Sequence, residues 1–389
     1  MKIKKMTDVN LSEKKVLIRT DLNVPIKNGK IMSDARILAA LPTIQIAIKN
    51  NAKVMIMSHL GRPEEGIYTK KYSLLPIFNY LKKIFINTNI FFSNNYLNGV
   101  DIKAGEVFLL ENVRFNKGEL NNDYELSKKY SNLCDIFVMD AFGSAHRMQA
   151  STYGVGKLSK ISCAGPLLIS EITYLKQAIK NPQRPMVTVI GGSKVSTKFN
   201  VLNKLSKISD TVIVGGGIAN TFLAINNKIG KSLHEKKFIL AAKKIYEKYN
   251  IVLPIDSRVG KNFCNTETAV VKLISCIKED DEIMDFGDKT IKNSINILRK
   301  AKTILWNGPV GVFEFKNFSI GTEMIAKTIA SSNAFSIAGG GDTLSVIDMF
   351  HIKKNISYIS TGGGAFLEFI EGKKLPAIQM LEDHFENTL

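Results

Sequence analysis

Arginine recurs where apolar runs end in the first part of the chain, in Arg19–Pro25 (RTDLNVP), Ser58–Pro63 (SHLGRP), Glu111–Phe115 (ENVRF) and Asp140–Arg147 (DAFGSAHR). A guanidinium presents paired N–H donors in one plane, so it grips carboxylate and phosphate oxygens as a lysine point charge does not. In the second part glycine takes that place, in Gly191–Lys198 (GGSKVSTK), Gly215–Gly217, Asn307–Glu314 (NGPVGVFE), Gly339–Thr343 (GGGDT) and Gly362–Gly364. Glycine lets backbone amides close on phosphate oxygens. One part reads as a pocket for a small, strongly anionic ligand and the other as a nucleotide pocket. A kinase with two separate substrates needs both.

The elements that must position these motifs follow from the runs before them. Val16–Ile18, Val54–Met57, Val107–Leu110, Ile136–Met139, Met186–Ile190, Thr211–Val214, Ile251–Leu253, Thr303–Trp306, Phe335–Ala338 and Tyr358–Ser360 are nearly continuous in apolar, β-branched residues. That pattern predicts strands covered on both faces, as in parallel sheets. Helical spacing lies between them, in Ser33–Asn51, Ser73–Ile86, Tyr124–Leu133, Ser170–Lys180, Lys198–Ser206, Glu235–Asn250, Asp288–Lys300 and Thr322–Ser332. The alternation predicts an α/β architecture with right-handed crossovers. Ligands of such sheets bind beyond the carboxyl ends of the strands, which is where every motif begins. A chain of 389 residues exceeds one ordinary core, so two domains are expected. The prolines of Asn181-Pro182-Gln183-Arg184-Pro185 stop the preceding helix and place a boundary nearby.

Within the arginine-bearing part, Arg19, Asp21 and Asn23 alternate along a strand end, which puts them on one face until Pro25 stops the strand. If the strands are neighbours, Arg36, Arg62, Arg114 and Arg147 converge, and Asp21 and Asn23 meet a hydroxyl of the same ligand. Singly, each arginine reads better as a surface residue in a salt bridge; together, at four successive strand ends, they favour a site. His59 and His146 stand open between anion binding and a structural role. Lys194 and Lys198 reach phosphate oxygens from GGSKVSTK, which is not the G-x-x-x-x-G-K-[ST] pattern. Asp342 of GGGDT could hold Mg²⁺ beside phosphates, or cap a helix with Thr343, and the two roles are compatible. Glu314 is open between a ribose hydroxyl and the surface.

Composition narrows the classes further. The formal charge of +18 raises the question of nucleic acid, but the lysines are spread along the chain with no dense block, finger or aromatic-interleaved run. No nucleic-acid partner is expected. Cys134, Cys163, Cys264 and Cys276 show no C-x-x-C spacing, so four reduced, mostly buried thiols are expected. No apolar run reaches the roughly 18 residues of a membrane span, and Met1–Lys15 lacks the apolar core of a signal peptide, so the expected location is the cytoplasm. The absence of a G-x-G-x-x-G fingerprint in its proper context argues against a dehydrogenase.

Taken together, the motifs resemble the phosphoglycerate kinase family, from RTDLNVP near the start to STGGGA near the end, with DAFGSAHR, GGSKVSTK, NGPVGVFE and GGGDT the most specific. The resemblance implies two similar-sized α/β domains, each a Rossmann-like parallel sheet flanked by helices, joined by a hinge that includes Ser360-Thr361. The first domain would comprise residues 1–172 with the C-terminal helix (376–389) packed back on it, and would bind 3-phosphoglycerate. The second, 173–375, would bind Mg-ATP or Mg-ADP. Carried over, Asp21, Asn23, Arg36, His59, Leu60, Gly61, Arg62, Arg114 and Arg147 would bind 3-phosphoglycerate. Lys198, Gly215, Gly216, Asn307, Glu314, Gly340, Gly341, Asp342 and Thr343 would bind nucleotide, with Asp342 on the metal. Arg36, Lys194 and Lys198 would face the phosphoryl group in transit between ATP and the substrate carboxylate. The implied enzyme is a cytoplasmic monomer acting on small molecules, with no membrane partner.

Overall fold

The computed structural model describes residues 2–386. Met1, and residues 387–389 of the expected segment 376–389, lie outside the described residues. The chain forms two compact units: everything up to Ile172 together with the segment from Lys373 onward, and Thr173–Gly372. The division falls inside the helix Pro166–Lys180, between Ile172 and Thr173. Prolines decide where that helix stops; they do not decide which body each of its turns joins.

In the first unit six parallel strands run in the order Ile90–Ser93, Val107–Leu110, Lys53–Met57, Lys15–Arg19, Ile136–Met139, Ile161–Ala164. Val16, Leu17 and Ile18 are all fully buried although they point alternately up and down, so helices cover both faces. The helix Ala35–Lys49 lays Ile37, Ala40, Ile44 and Ala47 against this core at helical spacing. Because Lys15–Arg19 lies between the second strand in sequence and the fifth, the chain winds away to one side and returns on the other. A crevice opens there, beyond Arg19. The sequence reading did not include the strands Ile90–Ser93 and Ile161–Ala164, each only four residues long with a serine in it; the first is a half-exposed edge with Phe91 in solvent.

The helix Pro376–Glu386 belongs to this unit: the Ala377 amide donates to the Ala145 carbonyl at 3.1 Å, and His384 Nε2 accepts from the Ser162 amide at 3.1 Å.

The second unit repeats the scheme with parallel strands in the order Ile251–Val252, Thr211–Val214, Met186–Ile190, Thr303–Asn307, Phe335–Gly339, Tyr358–Ser360. This is the doubly wound order, with its reversal between Met186–Ile190 and Thr303–Asn307. Asn307 is in register with Ile190, so GGSKVSTK and NGPVGVFE leave the sheet side by side. A three-stranded antiparallel sheet, Val270–Leu273, Asp256–Gly260 and Glu282–Phe286, adds a feature the sequence reading lacked. Its strands mix Asp256, Arg258 and Asp285 with apolar residues, so no continuous run announces them. All four cysteines are free, but only Cys134 and Cys163 are buried; Cys264 is partly exposed and Cys276 exposed. Among the described residues no helix is long and apolar enough to cross a membrane.

Asp140, wholly buried at the end of Ile136–Met139, ties elements together. It accepts from Thr43 Oγ1 of one helix and from the Leu168 amide, at 3.0 Å, of another. Burial pushes its carboxyl from the ordinary 3.8 to about 7. The folded chain therefore keeps a proton that the unfolded chain has already released. Stability falls as pH rises across that window and levels off above it. Asp140→Asn removes the ionisation, so its urea stability should fall less steeply between those two pH values, by up to about 1.4 kcal/mol per pH unit. Parallel parent and variant curves would show that Asp140 does not titrate in that window.

Candidate active site

The strand Lys15–Arg19 ends sooner than the alternation predicts. The Thr20 amide makes one more bond, to the Met57 carbonyl, and then Asp21 Oδ1 accepts from the Asn23 amide at 3.2 Å and turns the chain out of the sheet. Arg19, Asp21 and Asn23 are therefore not three neighbours on one strand face. Arg19 is fully buried, with Nε donating to Ser151 Oγ at 3.0 Å and Nη2 lying 3.1 Å from His59 Nδ1. Asp21 and Asn23 instead meet Arg36, near the start of the helix Ala35–Lys49. Arg36 Nη1 lies 3.2 Å from the Asp21 carboxylate and donates to the Asn23 carbonyl at 3.0 Å.

Asparagine side chains fasten the other loops to this one. Asn23 Oδ1 accepts from the Gly61 amide at 2.9 Å, joining RTDLNVP to SHLGRP. Asn112 accepts from the amides of Leu60 and Arg114, at 3.2 and 3.1 Å, and donates to the carbonyls of Leu60 and Tyr72. Gly61 has φ +60°, and a Cβ there would sit 2.3 Å from the Tyr72 ring. Its carbonyl accepts from Arg114 Nη1.

The cations of this pocket feel one another. Burial and the charges of Arg19, Arg114, Arg147 and Arg36 hold His59 well below its ordinary pKa, so the imidazole is neutral. Burial, then Arg147 and Arg19, with Arg62 adding to them, lower Arg114 to about 10. Arg147 is lowered by burial and by Arg62 and Arg36, against the pull of Asp21. Arg36, Arg62, Arg114 and Arg147 thus share one field. Arg114 Nε and Arg147 Nη1 are buried and have no hydrogen-bond partner in the protein. Buried donors of that kind are rare without a ligand to meet them. Arg62 itself is exposed.

In the second unit the glycine loops pack on one another before they meet any ligand. A Cβ on Gly191 would lie 1.7 Å from the Pro309 carbonyl oxygen, and one on Gly217 would lie 2.1 Å from that of Ser193. Gly216 has φ +63°, and its Cβ would lie 2.8 Å from the Gly192 oxygen. A cavity results, lined by Gly192, Gly216, Gly217, Glu314 and Asp342 on its polar side. Leu233, Phe263, Met284, Val312 and Phe313 form an apolar wall. The helices Gly216–Leu223 and Gly341–Met349 both begin at this loop cluster, and their free amides suit phosphate. Gly341 is the first residue of its helix, so its amide has no intrahelical acceptor, and a Cβ on it would meet no atom within 4 Å.

Lys198 Nζ donates to the carbonyls of Gly191 and Asn307, at 2.7 and 3.1 Å. Burial lowers its pKa to about 8, with the Asp342 carboxylate opposing. Lys194 is exposed on the same loop, which Glu235 anchors by accepting from the Ser196 amide and hydroxyl at 2.7 and 2.6 Å. Asn307 and Thr343 stitch loops together: Asn307 Nδ2 donates to the Gly339 carbonyl, and Thr343 Oγ1 accepts from the Gly308 amide. Asn307 Oδ1 is buried without a partner. Gly215 packs on Val310, and Gly340, at φ +104°, directly precedes the helix.

These observations meet the comparisons with known proteins. The phosphoglycerate kinase family model matches residues 6–373. The chain belongs to the phosphoglycerate kinase family. It is 74% identical over 387 residues to the phosphoglycerate kinase of Buchnera aphidicola subsp. Acyrthosiphon pisum (strain Tuc7), covering 100% of this chain and 99% of that one. To that of Buchnera aphidicola subsp. Baizongia pistaciae (strain Bp) it is 63% identical over 385 residues, covering 99% and 98%. Its fold matches the phosphoglycerate kinase structure from Coxiella burnetii with a TM-score of 0.93 at 50% identity, over 98% of this chain and 99% of that one. The Pyrococcus horikoshii OT3 enzyme superposes with a TM-score of 0.83 at 32% identity, over 99% and 100%.

The first unit brings together Asp21, Asn23, Arg36, His59, Leu60, Gly61, Arg62, Arg114 and Arg147. In the second, Gly216, Glu314 and Asp342 line the cavity, while Lys198, Asn307 and Thr343 are hydrogen-bonded to the loops that frame it, and Gly215, Gly340 and Gly341 belong to those loops without lining it. The sequence reading missed the apolar wall, because Phe263 and Met284 come from the antiparallel sheet and its connections, where no motif flags them. It also passed over Ser151 and Glu119, which lie behind Arg19.

Two glycines separate loop packing from ligand contact. Gly216→Ala should lower urea stability by about 1–3 kcal/mol, since both its φ and its neighbour resist a Cβ. Gly341→Ala should leave stability within about 1 kcal/mol yet weaken ATP binding tenfold or more in calorimetry, because the methyl would occupy the open space beside the helix-start amides. Unchanged affinity in the folded Gly341→Ala variant would remove the Gly341 amide from the site.

Proposed function

We infer that this chain catalyses the family's reversible glycolytic step, in which ADP and 1,3-bisphosphoglycerate give ATP and 3-phosphoglycerate. The arginine pocket binds the phosphoglycerate and the glycine-lined cavity binds the nucleotide. One observation carries this division: Arg36, Arg62, Arg114 and Arg147 share a field in which Arg114 Nε and Arg147 Nη1 are buried donors lacking protein partners. A small ligand carrying both phosphate and carboxylate satisfies such a pocket. The cavity of the second unit combines helix-start amides with an apolar wall, as a purine nucleotide requires.

Toward the acyl phosphate, a carboxylate oxygen of 3-phosphoglycerate forms a bond to the γ-phosphorus while the bond to the β-phosphate bridging oxygen breaks, and ADP leaves. That carboxylate is ionised at neutral pH, so no general base is needed. His59, held neutral among arginines, binds rather than abstracts a proton. Arg36, Lys194 and Lys198 stabilise the charge that spreads over the transferring oxygens. Asp342 sits exposed in the first turn of its helix, within the field of Lys198. Among the described residues no group of three or more His, Cys, Asp or Glu side chains forms a metal cage. One carboxylate beside a phosphate site suits Mg²⁺, which takes most of its ligands from phosphate and water. Asp342 would hold the ion, and the bound ion would neutralise phosphate charge.

Water competes for the phosphoryl group in an open site, so we place the reaction in a closed state reached about a hinge that includes Ser360-Thr361. Small-angle scattering should show compaction when both substrates are present, and an unchanged profile would count against closure. The enzyme acts on small molecules as a cytoplasmic monomer in this reading. Arg36→Ala and Lys194→Ala should each lower kcat by roughly 10²–10³ in a coupled assay with 3-phosphoglycerate, ATP and Mg²⁺, with circular dichroism unchanged. Near-parent turnover in either variant takes that residue out of the transfer step.

A further inference from the structure

Behind the arginine pocket runs a chain of hydrogen bonds that starts from a residue able only to donate. Arg19 is fully buried, and a guanidinium only donates. Its Nε–H goes to Ser151 Oγ at 3.0 Å, so that oxygen accepts. The Ser151 hydroxyl proton then goes on to Glu119 Oε1 at 2.5 Å, while the Ser151 amide donates to Oε2 at 3.1 Å. On its other side, Arg19 Nη2 lies 3.1 Å from His59 Nδ1. Because the arginine is the donor, Nδ1 must be the bare nitrogen, and a neutral ring then carries its proton on Nε2. Nε2 makes no hydrogen bond to protein among the described residues.

We propose that Ser151 and Glu119 are positioning residues for the reaction: through Arg19 they fix His59 as the Nε2–H tautomer, which offers one neutral donor to the anion among the arginines. This rests on the reading that the pocket holds 3-phosphoglycerate.

The surroundings agree with that role. Ser151 lies in a single π-helical turn, Ala150–Gly154, inserted ahead of the helix Val155–Leu158. Such turns are uncommon and recur at functional sites. Glu119, Ser151 and Arg19 are all wholly buried, a costly arrangement for a carboxylate and a guanidinium unless their geometry is used. Arg114, Arg147 and Arg36 raise the cost of a second proton on His59. A neutral imidazole with a fixed tautomer adds a donor to this pocket without adding to the repulsion.

The test is nitrogen NMR of the full-length protein labelled at its five histidines, with the His59 resonances assigned by their loss in His59→Gln. The wild-type spectrum at neutral pH should show a protonated Nε2 and a bare Nδ1. In Ser151→Ala and Glu119→Ala the His59 signals should shift toward a mixture of tautomers. KM for 3-phosphoglycerate should rise roughly tenfold, the weight of one hydrogen bond to a charged group, with KM for ATP unchanged. Ser151→Thr, which keeps the hydroxyl, should restore the wild-type spectrum; Ser151→Cys serves if Ser151→Ala does not fold. A proton on Nδ1 in the wild type, or folded variants that keep both tautomer and KM, would overturn the proposal. A merely structural role would lower the melting temperature and leave the tautomer alone. Failure of the pocket reading looks different: 3-phosphoglycerate would leave the His59 signals of the wild type in place.

Discussion

Bringing like charges together in a half-buried pocket is the constraint that shapes the first unit. Arg36, Arg114 and Arg147 repel one another, and burial removes the water that would screen them. Carboxylates could relieve this, but they would also occupy the donors that an anionic ligand needs. The structure uses carbonyl oxygens for most of the work. Arg19 donates to the Thr20 carbonyl, Arg36 to that of Asn23 and Arg114 to that of Gly61. Asp21 forms its ion pair with Arg36, and Glu119 acts at one remove through Ser151. Dipoles orient the guanidiniums while leaving their net charge in place. The field that destabilises the ligand-free pocket is the field that, in the proposed reading, binds the substrate.

The second unit solves a related problem with amides. Its loops approach so closely that Gly191, Gly216 and Gly217 are required by neighbouring backbone rather than by any ligand. That packing places the starts of Gly216–Leu223 and Gly341–Met349 at one cavity. Each contributes amide donors whose positions are set by the sheet and not by flexible side chains. Lys198 is the exception. It is buried against the Gly191 and Asn307 carbonyls, and its lowered pKa reflects how little water reaches it. A nearby phosphate would favour its charged form.

What the sequence revealed follows the same physics. Strands covered on both faces announce themselves as continuous apolar runs, and a parallel sheet then dictates where loops gather. Eight of the positions tied to the arginine pocket by motif, from Asp21 to Arg114, are therefore found in one place, with Arg147 beside them. The order of strands was not readable, because it depends on which crossover folds to which side. The antiparallel sheet was hidden by Asp256, Arg258 and Asp285 within its strands. Arg19 was misjudged because two-residue alternation holds only while the strand lasts, and the Asp21–Asn23 turn ends it. Glu119 and Ser151 had no motif at all; only the fold brings residues 32 apart in the chain to hydrogen-bond distance.

In the proposed reading, the two modes of anion recognition match the two ligands. A phosphorylated three-carbon acid offers little surface, so nearly all of its binding must come from charge and directed donors, and a misplaced donor has no apolar contact to compensate for it. Planar guanidiniums, locked by carbonyls and by asparagine bridges at Asn23 and Asn112, supply that direction. A nucleotide brings a base that can bury against Leu233, Phe263 and Val312, so its phosphates need only be guided. Helix starts suffice for this, and they leave room for a metal beside Asp342. The tighter network therefore belongs to the smaller substrate. This is why buried polar relays such as Glu119–Ser151–Arg19 stand behind the arginine pocket, while the nucleotide cavity is built mainly from backbone.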